Sequence, residues 1–494
     1  MSARLRLSLP KPVTILSFLV LALSAALVWQ GWSALQVDSI GDDAGQNLRS
    51  AMNLWQHGIY GESADAVRAG YRREPFPNWI LAAHLKWLAG VPAGIRFQEL
   101  VADPQLLKRS MAVNLFYLIG LFLALWGLCI RLISPRWVAH LVAMVVIYFS
   151  YNAFAVDELG SLNTELPAAF LIVLTSLGLL LLRQKCRIRW AILAGLIFGC
   201  LVLTKASGAY FAVFLLPALP LFLNRCRGRS VALGLCVALG FALAVLPWMG
   251  RNLVEFGKPA IAKGGGVVLL IRSVYDEMTP HEYAGSFYSF APKPLRKAIF
   301  EPYLGFSQTQ LKCGGSLERL QRDLSCDEEA MAEGRFDNLR SFYQVGKRGL
   351  PRMLHQEVAR KNIDSSSEDF LEAAALRRIQ SMPLKHVLVS VPLSWRGMWS
   401  FDNRRTWFGV LINGLAMFSL LAMPFLGIFM RKFDWVLISI VGVGYFLFYG
   451  LFTHFITRYS EPLIPLSLVC LSVLLLAILR RLGVYFFDRG VVPS

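Results

Sequence analysis

The chain has 494 residues, of which 55% are hydrophobic, and it carries a formal net charge of +18. Together with a mean hydropathy of +0.50, this apolar excess excludes an ordinary soluble protein and predicts an integral membrane protein. The positive charge does not indicate nucleic-acid binding, because the basic residues concentrate in short loops and at the termini, where the positive-inside bias acts. They include Arg4, Arg6, Lys11, Arg131, Arg136, residues 183–189 and 225–229, Arg431, Lys432, Arg480, Arg481 and Arg489.

Hydrophobic runs divide the chain into membrane spans and two large loops. A helix needs roughly 20 apolar residues to cross a hydrocarbon core of about 30 Å. We expect ten spans, with one or two more possible near 384–402, and an uncleaved first span. The ten are 13–35, 111–130, 137–156, 165–182, 190–205, 208–223, 229–249, 407–430, 433–452 and 460–479.

The stretch 190–223 is the ambiguous part of this assignment, because Lys205 and Gly208 lie near its centre. A single span there would place the basic groups at 183–189 and 225–229 on opposite faces of the membrane. Two short spans that turn near residues 204–208 satisfy the charge bias, so we prefer them. Both termini and all the basic loops then lie on the cytoplasmic side, as expected for a bacterial-type inner-membrane protein.

This assignment predicts an all-α polytopic membrane protein of about 10–12 transmembrane helices with a mostly helical extracytoplasmic loop region. Residues 1–250 form an N-terminal transmembrane module whose outer loop, 36–108, contains the predicted catalytic residues. Residues 251–405 form an extracytoplasmic loop domain, and residues 406–494 supply the last transmembrane helices. Within the first outer loop, a helix is expected over residues 44–57, ended by Gly58 as a C-cap glycine.

Cysteine and histidine usage gives little indication of a cofactor. Cys313 and Cys326 are the only two of the eight cysteines in the large outer loop, where they either form one bridge or remain two thiols. No Cys/His grouping has the spacing of a metal site, and no nucleotide-binding loop opens a helix. We expect that no cofactor is required.

Two adjacent acids, Asp42 and Asp43, follow the first span on the outer side. As acidic residues at a helix start they have a structural interpretation as caps of the following helix. Other ionisable residues recur at the outer ends of spans. Taken singly, each is explained as a side chain that extends to the membrane–water interface. These are Asp157, Glu158, Glu165, Lys205, Arg251 and Arg458, and the first loop adds Arg72, Arg73 and Glu74.

A cluster with both charge signs on the outer face suits transfer from a phosphate-linked electrophile. Cations stabilise a departing phosphate, and a carboxylate takes the proton from the incoming hydroxyl. Metal dependence is left open, since Asp42, Asp43, Asp157 and Glu158 offer the oxygen ligands that a divalent ion needs.

Six short motifs carry a resemblance to a known family. In chain order they are GDDAG (41–45), REPFP (73–77), NTELP (163–167), LTKASG (203–208), PWMGRN (247–252) and RYSEP (458–462). With them the chain resembles GT-C glycosyltransferases of the branch that contains protein O-mannosyltransferases and the lipid A aminoarabinose transferase. The resemblance implies a polyprenyl-phosphate sugar donor, an inverting single displacement, and a lipid, glycan or protein acceptor outside the cytoplasm, with hexosyl or pentosyl transfer both possible.

The resemblance also implies roles for individual residues. Asp42 would act on the acceptor as base or orienting carboxylate. The cations expected near the donor phosphate are Lys205, Arg251, Arg458, Arg72 and Arg73, and the substrate-binding or supporting residues are Asp43, Glu74, Glu165 and Tyr459. Gln46 and Asn47 stand where many relatives carry an aromatic residue, which puts the acceptor contacts in doubt.

Two alternatives belong to other classes of protein. A transporter or lipid flippase would place ionisable or helix-breaking residues near the bilayer midplane and show two related halves. Here the ionisable residues lie at one face and no repeat is visible. A catalytically idle scaffold would bind donor lipid without releasing polyprenyl phosphate, and the intact acids at 42 and 43 count against it.

Overall fold

The computed structural model describes residues 12–37, 39–61, 68–226, 228–322, 325–361, 367–400 and 406–483. Within these residues the regular structure is helical, with no strand, which confirms the predicted all-α class. The first half contains α1 (Pro12–Ala34), α2 (Asp42–His57), α3 (Pro75–Trp87), α4 (Phe97–Ala102), α5 (Pro104–Met111), α6 (Val113–Leu132), α7 (Arg136–Ser150), α8 (Val156–Glu158), α9 (Glu165–Lys185), α10 (Ile188–Val202), α11 (Gly208–Phe222) and α12 (Ser230–Phe256).

The loop region that follows is built from shorter helices, and three long helical segments close the chain. These are α13 (Gly265–Val274), α14 (Pro280–Phe290), α15 (Lys293–Leu295), α16 (Glu301–Leu304), α17 (Ser325–Ala332), α18 (Phe342–Gln344), α19 (Leu350–Lys361), α20 (Ser367–Ser381), α21 (Pro383–Gly397), α22 (Trp407–Phe429), α23 (Phe433–Phe452) and α24 (Ile464–Arg481). Single turns of 3₁₀ helix occur at Asn224–Cys226, Tyr275–Glu277, Gln308–Leu311, Glu318–Leu320, Phe336–Asn338, Thr457–Tyr459 and Glu461–Leu463, and π-helical turns at Tyr151–Ala155, Arg296–Phe300 and Val345–Gly349.

Eight helical segments of the described chain are long and apolar enough to cross a membrane. They coincide with eight of the ten predicted spans and confirm a multi-pass membrane protein. The other two predicted spans are the shorter apolar helices α10 and α11. The suggested extra crossing near 384–402 corresponds to α21, which has 15 residues and is not among the eight. At about 1.5 Å per residue it is shorter than a hydrocarbon core.

The turn between α10 and α11 resolves the ambiguity at 190–223. Helix α10 ends at Val202 and α11 begins at Gly208, as the charge bias predicts. The guanidinium of Arg183, at the end of α9, donates to the carbonyl of Phe222 at 2.7 Å and to Asn224 Oδ1 at 2.8 Å. The chain therefore returns to the end of the bundle at which α10 began, which a single span could not do.

Two cysteines meet at this same end of the bundle, a pairing that the sequence did not predict. Cys186 and Cys226 form a disulfide whose Cα atoms lie 5.4 Å apart. Both belong to loops that the charge pattern assigns to the cytoplasmic side. Cys313 lies exposed in the loop region, whereas the side chain of Cys326 is outside the described part, so the suggested bridge between them stays a prediction.

Close packing of α10 on α12 depends on glycine. A Cβ atom at Gly240 of α12 would meet the carbonyl oxygen of Ile192, and one at Gly195 of α10 would meet that of Val237. Small residues at such an interface let two backbones approach, which is how membrane helices gain packing contacts without a hydrophobic driving force. Because α10 leads into the turn that contains Lys205, this contact also helps to position a candidate site residue.

Substitution of Gly240 by alanine tests this packing. We expect G240A to lower the apparent melting temperature of the detergent-solubilised protein, because overpacking typically costs about 1–3 kcal/mol. Gly250, on the same helix, supplies the matched control, since a Cβ atom added there would meet no other atom within 4 Å. G250A should leave the melting temperature unchanged or raise it, and an equal loss in both variants would contradict the packing argument.

Candidate active site

The first outer helix places the two adjacent acids at its N-terminus. Helix α2 begins at Asp42, with Gly41 as the N-cap and no side-chain capping bond. Neither acid is therefore the N-cap residue, but both lie in the first turn, where the helix dipole favours negative charge. The predicted helix and its C-cap are confirmed: Gly58 adopts a φ of 70° and donates its N–H to the carbonyl of Leu54.

Asp43 joins two cations that are far apart in sequence. Its Oδ1 is paired with Arg73, and its Oδ2 accepts from Arg458 Nη2 at 2.8 Å. Burial opposes ionisation of the carboxyl group, but the bonds from Arg458 and Arg73 outweigh it and lower the pKa of Asp43 to about 2. Asp43 is therefore a permanent anion at neutral pH that holds the first loop against the segment before α24.

Glu165 forms the deeper part of the same cluster. Its side chain is 1% exposed, and its Oε1 lies 3.2 Å from Lys205 Nζ and 3.2 Å from Arg458 Nε. Burial opposes the charge on Lys205, yet the neighbouring Glu165 carboxylate raises the pKa of the lysine above its usual value. Arg458 thus bridges the two acids, and five of the predicted site residues meet in one network: Asp43, Arg73, Glu165, Lys205 and Arg458.

Backbone contacts attach the first loop to the turn between α10 and α11. Glu74 Oε1 accepts from the N–H of Ala206 at 3.5 Å, and the N–H of Phe76 donates to the carbonyl of Leu203 at 3.1 Å. Glu74 also precedes α3 as its N-cap residue. These bonds fix the REPFP segment next to Lys205, so Glu74 is a supporting residue of the cluster.

Two polar residues that the sequence did not single out, Tyr60 and Asn78, help to complete the framework. The hydroxyl of Tyr60 donates to the carbonyls of Arg73 at 3.0 Å and Glu74 at 3.1 Å, and accepts from Asn78 Nδ2 at 2.7 Å. The buried carboxylate of Glu158 has one oxygen without a hydrogen-bond partner among the described residues. The sequence pointed to Glu158 only through its position at the outer end of a span. It gave no indication of Tyr60 and Asn78, because their side chains bind backbone carbonyls and carry no charge.

Gln46 and Asn47, which depart from the family pattern, are part of this framework. Gln46 Oε1 accepts from Arg73 Nε at 2.9 Å, and Asn47 Nδ2 donates to the carbonyl of Leu162 at 2.8 Å. Gln46 therefore orients the same arginine that pairs with Asp43. Asn47 ties α2 to the loop before α9, which carries Glu165.

Arg251 lies outside the ion-pair network. Its guanidinium donates to the carbonyls of Gly70 at 2.9 Å and Tyr60 at 3.4 Å, and it packs on the rings of Trp248 and Phe256. Arg251 therefore anchors the backbone of the first loop. Its connection to the cluster runs through Tyr60, whose hydroxyl contacts the carbonyl of Arg73.

The remaining predicted residues lie around the cluster. Tyr459 packs on the ring of Tyr449, with centroids 4.8 Å apart, beside Arg458. Arg72 is exposed in the first loop. Asp42 is also exposed, and no side chain in the described part of the chain forms an ion pair or hydrogen bond with its carboxylate. Asp42 is thus the accessible acid of the pair, directly beside the restrained one.

The described residues offer no preformed metal centre. No group of three or more His, Cys, Asp or Glu side chains among them is arranged to hold an ion. Of the four acids considered as ligands, Asp43 is already paired with two arginines. Metal dependence stays open.

Comparison with known proteins gives similar solved structures only. No family model matches the chain, and no curated protein matches it. It is similar to the oligosaccharyltransferase AglB from Archaeoglobus fulgidus in complex with an inhibitory peptide and a dolichol-phosphate, with 12% identity, a TM-score of 0.47 and coverage of 97% of this chain and 53% of that one. It is also similar to ArnT from Cupriavidus metallidurans bound to undecaprenyl phosphate, with 13% identity, a TM-score of 0.36 and coverage of 92% and 77%.

The matches extend over 97% and 92% of this chain, in keeping with the resemblance found in the sequence. A further structure of the Archaeoglobus fulgidus enzyme contains Zn and sulfate. The chain spans about half the length of the oligosaccharyltransferase that it matches. At these identities and TM-scores the similarity carries no argument about substrate or mechanism.

The Glu165 network makes a stability prediction. E165Q should strongly destabilise the protein, because removal of one partner of a buried ion pair leaves Lys205 uncompensated and costs about 3–5 kcal/mol. Replacing the lysine as well, in E165Q/K205M, should recover part of the loss. The control is E99Q, which removes the surface pair with Arg96 and should not change the melting temperature. Equal melting temperatures for E165Q and wild type would refute the role assigned to Glu165.

Proposed function

We propose that the protein is a membrane glycosyltransferase that moves a sugar from a polyprenyl-phosphate donor to a lipid, glycan or protein acceptor. The observation that carries the proposal is the exposed Asp42 beside the Asp43–Arg458–Glu165–Lys205 network. An available carboxylate next to a rigid charged framework suits proton transfer from an acceptor hydroxyl. The six ordered motifs of the sequence support the same reaction class.

The reaction would be a single displacement with inversion. The acceptor hydroxyl oxygen attacks the anomeric carbon while its proton passes to Asp42. The bond from the anomeric carbon to the phosphate oxygen breaks, and the electron pair leaves with the polyprenyl phosphate. Asp43 is not suited to accept the proton, because Arg73 and Arg458 hold its pKa at about 2. Its role is to fix the first turn of α2 and so the direction of Asp42.

The other predicted residues take supporting roles in this proposal. Arg73, Arg458 and Lys205 place positive charge beside the reacting sugar, with Arg72 at the exposed side of the loop. Glu165 and Glu74 position these cations, Tyr459 packs beside Arg458, and Arg251 secures the loop backbone. A phosphate leaving group requires charge stabilisation more than protonation, so the chemistry needs no cofactor, and a metal requirement stays open.

Asp42→Asn is the direct test of the proposed base. Purified variant and wild type are incubated with a panel of polyprenyl-phosphate sugars, hexosyl and pentosyl, and release of polyprenyl phosphate is measured. Loss of a general base should reduce kcat by at least about 100-fold. D337N, which alters an exposed acid in the loop region, serves as the matched control and should keep full activity.

The melting temperature of D42N should match that of wild type, since its carboxylate has no described partner to lose. Near-normal turnover in D42N would remove Asp42 from the mechanism. Absence of donor consumption by the wild-type protein over the whole panel, with sugar lipid moved across vesicle bilayers instead, would favour the flippase alternative.

We also propose that the active site faces the extracytoplasmic side and that both termini are cytoplasmic. The basic loops support this orientation, since they lie on the other side of the assigned spans. The exposed Cys313 of the loop region provides a natural reporter.

In intact spheroplasts, after mild reduction, a membrane-impermeant maleimide should label C326S, and the label should be lost in C313S/C326S. The comparison of these two variants assigns the label to the Cys313 thiol. Labelling of Cys313 only after permeabilisation of the membrane would reverse the proposed orientation.

A further inference from the structure

The network around Asp43 has little positive charge left for a phosphate. Arg73 and Arg458 both pair with Asp43, and Lys205 and Arg458 share Glu165. Each cation predicted to bind the donor phosphate in this network therefore already contacts a carboxylate.

A second group of cations lies close by with no such compensation. Arg322 lies 4.0 Å above the centroid of the Tyr343 ring, and Lys347 Nζ lies 5.3 Å from the same centroid. Arg396, near the end of α21, interacts with the hydroxyl of Tyr275. Within the described residues, no carboxylate pairs with any of these three cations. We call Arg322, Lys347 and Arg396 the tyrosine-bound cations.

Two buried guanidinium donors of this group have no partner in the described part of the chain. Arg396 Nη1 and Arg322 Nε are buried and have no hydrogen-bond partner among the described residues. Because buried donors usually form a hydrogen bond, these two nitrogen atoms are available to a ligand. Burial and the charges of Arg396 and Arg322 lower the pKa of the adjacent His454 well below its usual value, so the histidine remains neutral and adds no charge.

The tyrosine-bound cations connect to the candidate active site through aromatic rings. Tyr343 packs against His454 with centroids 5.4 Å apart, and His454 packs against Tyr459 at 5.8 Å. Tyr459 directly follows Arg458, which binds Asp43. A ligand bound by these cations is therefore separated from the ion-pair network by the side chains of Tyr343, His454 and Tyr459.

A cavity of about 940 Å³ borders the same region. The guanidinium of Arg396 lies 4.8 Å above the ring of Phe290, which lines this cavity, as does Thr457, the residue before Arg458. Three more cations, Lys293, Arg296 and Lys297, line it as well. The cavity has the size of ordinary small-molecule sites, and its lining favours an anionic ligand.

We propose that Arg322, Lys347 and Arg396 form a phosphate-binding subsite that accepts a substrate phosphoester entering from the adjoining cavity. This assigns the phosphate to the loop region rather than to Lys205 and Arg458, and its catalytic meaning rests on the glycosyltransferase proposed above. The phosphate is borne either by the lipid donor or by a sugar of the acceptor. Cations around a phosphate group form charge-assisted hydrogen bonds to its oxygens, which suits the geometry of the two arginines in particular.

Binding assays on the purified full-length protein test the subsite without requiring turnover. The probes are farnesyl phosphate, glucose 1-phosphate and inorganic phosphate, with farnesol as the phosphate-free lipid. We expect K347Q and R322Q each to weaken phosphate-probe binding about tenfold, equivalent to about 1.4 kcal/mol. Lys347 is exposed, so K347Q should fold normally even if a change at the more buried Arg396 does not.

The matched control is R335Q, which removes an arginine of the same loop region that pairs with Glu333. Its affinities should stay within about twofold of wild type. Tighter binding of farnesyl phosphate than of the two other probes assigns the subsite to the lipid donor, and tighter binding of glucose 1-phosphate assigns it to a sugar phosphate. Equal binding of all three indicates a site for phosphate alone.

Two outcomes separate this inference from the proposed function. Unchanged affinity in K347Q and R322Q, with a loss in K205Q, would overturn the subsite even if the wild-type protein transfers sugar. A tenfold loss in K347Q and R322Q, in a protein that transfers no sugar, would support the subsite and count against the proposed function.

Discussion

The buried carboxylate of Glu165 is the interaction on which the candidate site depends. It is 1% exposed and receives Lys205 from the turn after α10 and Arg458 from the segment before α24. Removing charge from water is costly unless each ion finds a partner, so none of these three helix ends can move away without leaving a charge unpaired. The network therefore sets the relative positions of segments about 40 and 290 residues apart in the chain.

Charge balance distinguishes the two polar regions that lie near each other. In the Glu165 network cations and acids alternate, which makes the region rigid and electrostatically self-contained. Around Tyr343 the described cations have no acidic partner, and buried guanidinium donors are unpaired. A protein tolerates such an arrangement when a ligand supplies the missing charge, because uncompensated buried donors lower stability. If the proposed phosphate subsite is correct, scaffold and ligand binding belong to different sets of cations.

The spans and the first outer helix were predictable because hydrophobic length and the C-cap Gly58 are local signals. The charge bias correctly divided 190–223 into two helices. The partners of each ion were not predictable, since the sequence gives no distance between Asp43 and Arg458. Arg251 was grouped with the phosphate cations by its motif, but it contacts loop carbonyls. The importance of Arg322 and Arg396 is visible only from what surrounds them, because no local pattern separates them from other loop arginines.

In the proposed mechanism, the adjacent acids Asp42 and Asp43 have separate roles. A carboxylate bound by two guanidiniums is well positioned but has a pKa of about 2, which makes it a poor proton acceptor at neutral pH. A carboxylate without partners is open to an incoming hydroxyl but is poorly oriented. Successive residues of a helix point about 100° apart, so restraint of Asp43 fixes the direction of Asp42 without binding its oxygens. Orientation and proton acceptance are then carried by different side chains of one rigid turn.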